Sequence, residues 1–162
     1  MDIDHFSIEN KALDVLDRNN ITKPVVNVAK IAENVGFSVK EIEMPKEYAG
    51  VAAFHDNAKK VIYVAVKDPP TRKMFSIAHE LGHIFLGHKN YEVLFRIPKT
   101  EGTYPKNESE ANSFAAHLLI PTFMVREYLD KYNLTKGDYV KMSNIFGVPV
   151  VAMKETLEYL PS

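Results

Sequence analysis

The chain has 162 residues, 46% of them hydrophobic, which predicts one compact domain around a single core. Its 20 basic and 21 acidic residues leave a net charge of −1, so the basic footprint of a nucleic-acid-binding protein is excluded. With no cysteines, disulfides and thiolate metal sites are excluded as well. No apolar run is long enough to span a membrane and the N-terminus lacks the features of a secretory signal, so we expect a cytoplasmic protein.

Two helices followed by three strands are predicted before residue 70. Ser7 is expected to cap the first helix, which stops at Asn19-Asn20. Asn27 is expected to cap the second. Apolar and polar residues alternate in the first strand, and two β-prone runs around a polar turn predict a hairpin. After the first helix, these elements cover residues 28–35, 37–42, 51–55 and 61–66. An edge strand ahead of the next helix would be able to pair with an extended peptide.

The rest of the chain is predicted to be mainly helical. Thr71 is expected to cap a helix that ends at Gly87, and residues 91–102 look irregular. Asn107 then caps a helix that runs to Leu119. Three more helices are expected over residues 122–132, 136–146 and 149–160. We therefore expect an α+β fold with a small antiparallel or mixed sheet, residues 1–121 forming the core and residues 122–162 a C-terminal helical segment packed on it.

The motif His79-Glu80-Leu81-Gly82-His83 lies on the largely apolar helix that follows the three predicted strands. Histidines four residues apart on a helix lie about 40° apart around the axis, with β-carbons roughly 5–6 Å apart. Both imidazoles can therefore reach one ion. Zinc accepts imidazole nitrogen and keeps a position for water at catalytic sites, where Glu80 would take a proton from that water.

A catalytic zinc site needs a third protein ligand. The long metzincin motif would place a histidine six residues after His83, but this chain has Lys89 there. His88 is one residue short of that position and follows Gly87, so a capping or surface role is expected for it. The remaining option is a glutamate on a separate helix, which would complete a His₂Glu set.

Two glutamates on the next helix compete for that role. Glu108 and Glu110 lie about 200° apart around a helix, so one ion can take only one of them. Glu110 shares a stripe with Phe114 and His117, which favours it. Glu108 is expected in an exposed first turn, where a carboxylate complements the helix dipole. The alternative for Glu110 is a capping role behind Asn107.

The HELGH motif, followed 27 positions after its last histidine by EANSFAA and LLIP, resembles the ImmA/IrrE family of zinc metallopeptidases. The resemblance covers nearly the whole chain from about residue 12 and includes the segment MSNIFGV near the C-terminus. It implies a zincin-like metallopeptidase core in which Zn²⁺ is bound by His79, His83 and Glu110, with Glu80 as the catalytic acid/base. Other divalent ions are also compatible with such ligands.

The resemblance also implies a substrate. Some relatives carry a DNA-binding repressor domain on the same chain, whereas only about 70 residues precede the motif helix here. The expected activity is therefore limited cleavage of a separately encoded helix-turn-helix repressor of a mobile element, prophage or stress regulon. An additional donor would stabilise the oxyanion of this reaction. The candidates are His117, Tyr104, His55 and His88.

A different class of function is a zinc-containing binding module that sequesters a regulator without cutting it. The intact Glu80 disfavours this alternative, because a non-catalytic site has no use for a base. The predicted helix pair around Gly147 resembles a helix-turn-helix, but residues 149–160 are poor in the cations that phosphate contacts need. We therefore expect a protein partner, with no direct binding to nucleic acid or to a membrane.

Overall fold

The computed structural model describes residues 3–88 and 106–161, where the chain forms seven α-helices, a short 3₁₀ turn and three strands. The predicted α+β class is confirmed, as is the order of two helices, three strands and the motif helix. The predicted irregular segment over residues 91–102 lies outside the described residues. The elements are α1 His5–Arg18, α2 Val28–Asn34, β1 Ser38–Ile42, β2 Ala53–Asp56, β3 Val61–Ala65, α3 Pro70–Phe85, α4 Lys106–Leu119, α5 Thr122–Lys131, α6 Tyr139–Phe146 and α7 Val150–Glu158.

The three strands form one mixed sheet in the order β1-β3-β2. β1 runs parallel to β3, and β2 pairs antiparallel with β3 as the predicted hairpin, with His55 opposite Ile62. The central strand β3 is buried at four of its five positions, which explains its nearly continuous apolar sequence. β1 and β2 are thus the two edges of the described sheet, and the pairing of an edge with a substrate peptide stays a prediction.

Three of the four predicted helix caps are wrong, one of them Asn107, which lies inside α4. The cap of α1 is Asp4, whose carboxylate accepts a hydrogen bond from the backbone N–H of Ser7 at 3.0 Å. Both residue types cap helices, and the negative charge of Asp4 also complements the N-terminal dipole. α3 begins at Pro70, because the backbone φ of proline is already set for the first helical position, so Thr71 lies inside the helix and does not cap it. The cap of α2, Asn27, is confirmed.

One hydrophobic cluster joins the sheet to helices from both halves of the chain. It includes fully buried side chains from β3, α3, α4, α5 and α6, namely Ile62, Leu81, Phe114, Met124 and Phe146. The C-terminal helices therefore share a core with the sheet, and the division at residue 121 stays a prediction. Within residues 3–88 and 106–161, none of the helices has the length and apolar character needed to cross a lipid bilayer.

The motif helix α3 packs directly against α4 at Gly82. A β-carbon on Gly82 would lie 2.9 Å from both the Cα and the carbonyl oxygen of Ala111 on α4. Contacts that short with backbone atoms require one of the helices to move, so glycine is needed here for the close approach of two backbones. This approach brings the first turn of α4 to the histidine face of α3.

Replacing Gly82 with Ala is therefore expected to lower the free energy of unfolding by about 1–3 kcal/mol, the usual cost of overpacking. The helix propensity of Ala acts in the opposite direction by up to about 1 kcal/mol, so the measured loss understates the steric cost. Urea denaturation checks this, with Gly137→Ala as the control because its β-carbon would meet only the Thr135 hydroxyl at 3.6 Å. A Gly82→Ala variant as stable as the wild type would limit the steric cost to the gain in helix propensity, about 1 kcal/mol, and would contradict the need for glycine.

Candidate metal centre

The two histidines of the motif converge as predicted. They lie one turn apart on α3, and their Nε2 atoms are 3.1 Å from each other. Two ligand atoms at about 2.0–2.1 Å from one tetrahedral ion lie about 3.3–3.4 Å apart. His79 and His83 thus have the spacing that a shared ion requires. The His83 side chain is fully buried, whereas that of His79 is slightly exposed.

The carboxylate that meets these histidines is that of Glu108. Its Oε2 lies 2.6 Å from Nε2 of His79, and its Oε1 lies 3.3 Å from Nε2 of His83. Glu108 is only 7% exposed, so the prediction that it sits in an exposed first turn is wrong. The physical reason is the close approach of α3 and α4, which buries the first described turn of α4 against the motif helix.

Glu110, the predicted third ligand, is not brought to the histidine pair. Its Oε1 lies 3.0 Å from Nε2 of His88, and Nδ1 of His88 lies 2.8 Å from Nδ1 of His83. Because residues 108 and 110 lie about 200° apart around a helix, a helix that turns Glu108 towards the histidines turns Glu110 away from them. The surface role expected for His88 is also wrong, since its side chain is only 8% exposed.

Asn112 is a site residue that the sequence analysis missed. Its Oδ1 lies 2.6 Å from Nδ1 of His79, which donates the hydrogen bond. That bond places a proton on Nδ1 and orients the ring so that Nε2 faces Glu108 and His83. The available signal was the four-residue spacing of Glu108 and Asn112, which places both on one face of α4.

Glu80 lies beside the histidine pair in a buried contact with the sheet. Its Oε1 accepts a hydrogen bond from Nδ1–H of His55 at 2.8 Å, and both side chains are only 1% exposed. The ring of His55 also stacks near that of His83, with centroids 6.3 Å apart. His55, on β2, therefore orients the carboxylate of Glu80 and contacts the HELGH motif through it.

Another predicted oxyanion donor, His117, does not reach this site. His117 faces α1, where its Nδ1 lies 3.5 Å from a carboxylate oxygen of Glu9. Burial lowers the pKa of His117 below its ordinary value, an effect that Glu9 partly opposes and His5 reinforces. Tyr104 lies outside the described residues.

The residues present fit a divalent metal ion. Ligand atoms of His79, Glu80 and His83 lie within 4.8 Å of one another. Glu80 is oriented by His55, whereas Glu108 contacts both histidines, so Glu108 is the carboxylate placed to complete a donor set with them. Two imidazoles and one carboxylate form a donor set that zinc and related ions accept.

Comparison with known proteins identifies the family and the fold of this chain. The model of the IrrE N-terminal-like domain, a peptidase family, matches residues 32–158. The "Uncharacterized immunity region protein 2" of Bacillus phage phi105 is 29% identical over 119 residues, which cover 74% of this chain and 73% of that protein.

A solved structure shares the fold. The chain superposes on a "Mycobacterium tuberculosis transcriptional regulator" with a TM-score of 0.72 and 16% sequence identity. The match covers 96% of this chain but only 57% of that structure, so this chain spans little more than half of its length. At this identity the likeness concerns the fold alone. The match to the family model over residues 32–158 places this chain in the ImmA/IrrE family of metallopeptidases.

Proposed function

We propose that this protein is a zinc-dependent endopeptidase that cleaves one specific protein, a separately encoded helix-turn-helix repressor of a mobile element, prophage or stress regulon. What supports this function is the convergence of His79, His83 and Glu108, with the buried carboxylate of Glu80 beside them. Membership of a peptidase family supports hydrolysis. The similarity to a protein of a phage immunity region supports a repressor as the substrate.

His79, His83 and Glu108 are the residues that we propose to hold the ion, with Glu108 in the place predicted for Glu110. When bound, zinc would lower the pKa of a water molecule towards about 7 and polarise the carbonyl of the scissile peptide. A hydrogen bond of the protein prepares the imidazole of His79 for this role. The Oδ1 of Asn112 accepts from Nδ1–H of His79, so the Nε2 of that ring keeps its lone pair.

Glu80 is the group that moves the proton in this reaction. Its carboxylate takes a proton from the attacking water and returns it to the nitrogen of the leaving amine. The hydrogen bond from His55 to Oε1 fixes the orientation of the Glu80 carboxylate, which transfers the proton. His55 thus acts through Glu80, and it is a positioning residue in this function.

The direct test is to combine the purified protein with the candidate repressor and to measure its metal content. We expect about one zinc ion per chain and the appearance of two repressor fragments. A chelator should stop the cleavage, and added zinc should restore it. A zinc-loaded protein that binds the repressor but leaves it intact would rule out the endopeptidase activity and favour a module that sequesters the repressor.

A further inference from the structure

We propose that α1 is held against α4 by an acid-sensitive cluster of four side chains, and that acidification releases α1 from α4. The cluster consists of His5 and Glu9 on α1 together with Ser113 and His117 on α4. It contains none of the residues proposed to bind metal or to move the proton. The inference therefore concerns a conformational feature of the fold and does not depend on the peptidase activity.

The geometry of the cluster follows from two pairs of residues that are each four positions apart. Such residues lie one turn apart on the same face of a helix. Nδ1 of His5 lies 3.0 Å from Oγ of Ser113, and one turn further along both helices Nδ1 of His117 lies 3.5 Å from Oε2 of Glu9. The two helices thus meet through two successive polar layers, which contain two imidazoles and a single carboxylate.

These polar layers accompany the main packing contact of α1. The helix packs chiefly on α4, and four apolar side chains of α1 are buried, namely Ile8, Ala12, Val15 and Leu16. α4 packs in turn on the motif helix α3, where Ala111 meets Gly82. Release of α1 would therefore remove a helix that supports α4 without directly breaking the contact between α4 and the motif helix.

A positive charge on His117 is unfavourable while α1 is docked. Burial lowers the pKa of His117 below its ordinary value of 6.5, an effect that Glu9 partly opposes and His5 reinforces. Glu9 and His5, both on α1, are the charged or titratable groups that act on this ring among the described residues. Release of α1 exposes the ring and removes both groups, so the pKa of His117 returns towards its ordinary value.

Acid therefore favours the released form of α1. Because the docked form has the lower pKa, the released form binds more protons at any pH between the two values. The docked form has its full stability above about pH 6.5 and loses stability as the pH falls through this value towards the lowered pKa of docked His117. The released population should rise about tenfold for each unit between the two pKa values.

Hydrogen–deuterium exchange of the full chain tests this release. The backbone amides of α1 are followed from about pH 7 to about pH 5, with rates corrected for the direct effect of pH on amide exchange. NMR titration of the His117 ring gives its docked pKa in the same protein. We expect α1 to lose protection on acidification by the factor that this pKa predicts, whereas the buried central strand β3 should lose less.

Three variants separate this mechanism from a general loss of stability. His117→Gln is neutral at every pH and should lose the acid-dependent release that this ring causes. Glu9→Gln removes the attraction that favours protonated His117, so the loss of protection should become larger. His5→Gln removes a repulsion, so the loss should become smaller. Asp14→Asn is the matched control and should behave as the wild type, because its exposed carboxylate pairs with Arg18 on α1 itself.

Three results would contradict the proposal. The first is a wild type in which α1 keeps its protection on acidification, and the second is an equal loss of protection in α1 and β3. The third is a His117→Gln variant that retains the full effect. If His117→Gln fails to fold, the other two variants decide, because changes in the same direction for Glu9→Gln and His5→Gln would rule out the mechanism.

Discussion

A Glu80→Gln variant is expected to keep its metal and to lose repressor cleavage by about 10²–10⁴-fold, the usual contribution of a general acid–base group. Glutamine has nearly the same shape as glutamate, and its amide oxygen can still accept the hydrogen bond from Nδ1–H of His55. It cannot take a proton from the attacking water. The substitution therefore removes the chemical step while it leaves the proposed ligands in place.

The rate is measured as the appearance of repressor fragments at equal protein concentration, alongside the metal content of each preparation. Glu33→Gln is a matched control, because its side chain is exposed on α2 and pairs only loosely with Lys30 at 3.7 Å. That variant should cleave at the wild-type rate. Undiminished cleavage by metal-loaded Glu80→Gln would show that Glu80 is not the base.

The burial of Glu80 is itself an argument for such a role. Removing a carboxylate from water is costly unless hydrogen bonds compensate, and this side chain is 1% exposed beside an equally buried histidine. An apolar pair of similar volume would pack the same space at lower cost. A buried polar pair at the edge of a metal-binding cluster departs from ordinary core packing, and such departures concentrate at functional sites.

The sequence was enough to predict what depends on one helix or one strand. The spacing of His79 and His83 requires both side chains to share a face of any α-helix, and the structure shows them converging. The hairpin followed from alternation and turn residues in the same way, whereas the choice between an antiparallel and a mixed sheet stayed open. In each case the relevant atoms are a few residues apart, so local geometry determines their arrangement.

The choice between Glu108 and Glu110 depended instead on packing between distant segments. Both lie on one helix, and the rotation of α4 against α3 decides which one faces the motif. That rotation is constrained where Gly82 meets Ala111, a contact that no helical pattern reveals. The contact of His55 with Glu80 likewise required the position of β2 relative to α3, which depends on tertiary structure.

The assignment of Glu108 as a ligand predicts a clear ranking of two alanine variants. Glu108→Ala is expected to lose stoichiometric zinc, because only two histidine ligands remain. Glu110→Ala is expected to bind zinc about 10–100-fold more weakly than the wild type, because it loses only the partner of His88. Both substitutions remove a glutamate from the same helix, so general effects on α4 are closely matched.

Thermal melting with and without zinc ranks these affinities, because a ligand that binds only the folded state raises its stability as ligand concentration exceeds Kd. The zinc-dependent rise in Tm should be largest for the wild type, smaller for Glu110→Ala and absent for Glu108→Ala. Glu127→Ala, which removes an exposed carboxylate from α5, should show the full rise. The reverse order would make Glu110 the ligand, and it would require α4 to rotate by about 160–200° from the arrangement in which Glu108 meets both histidines.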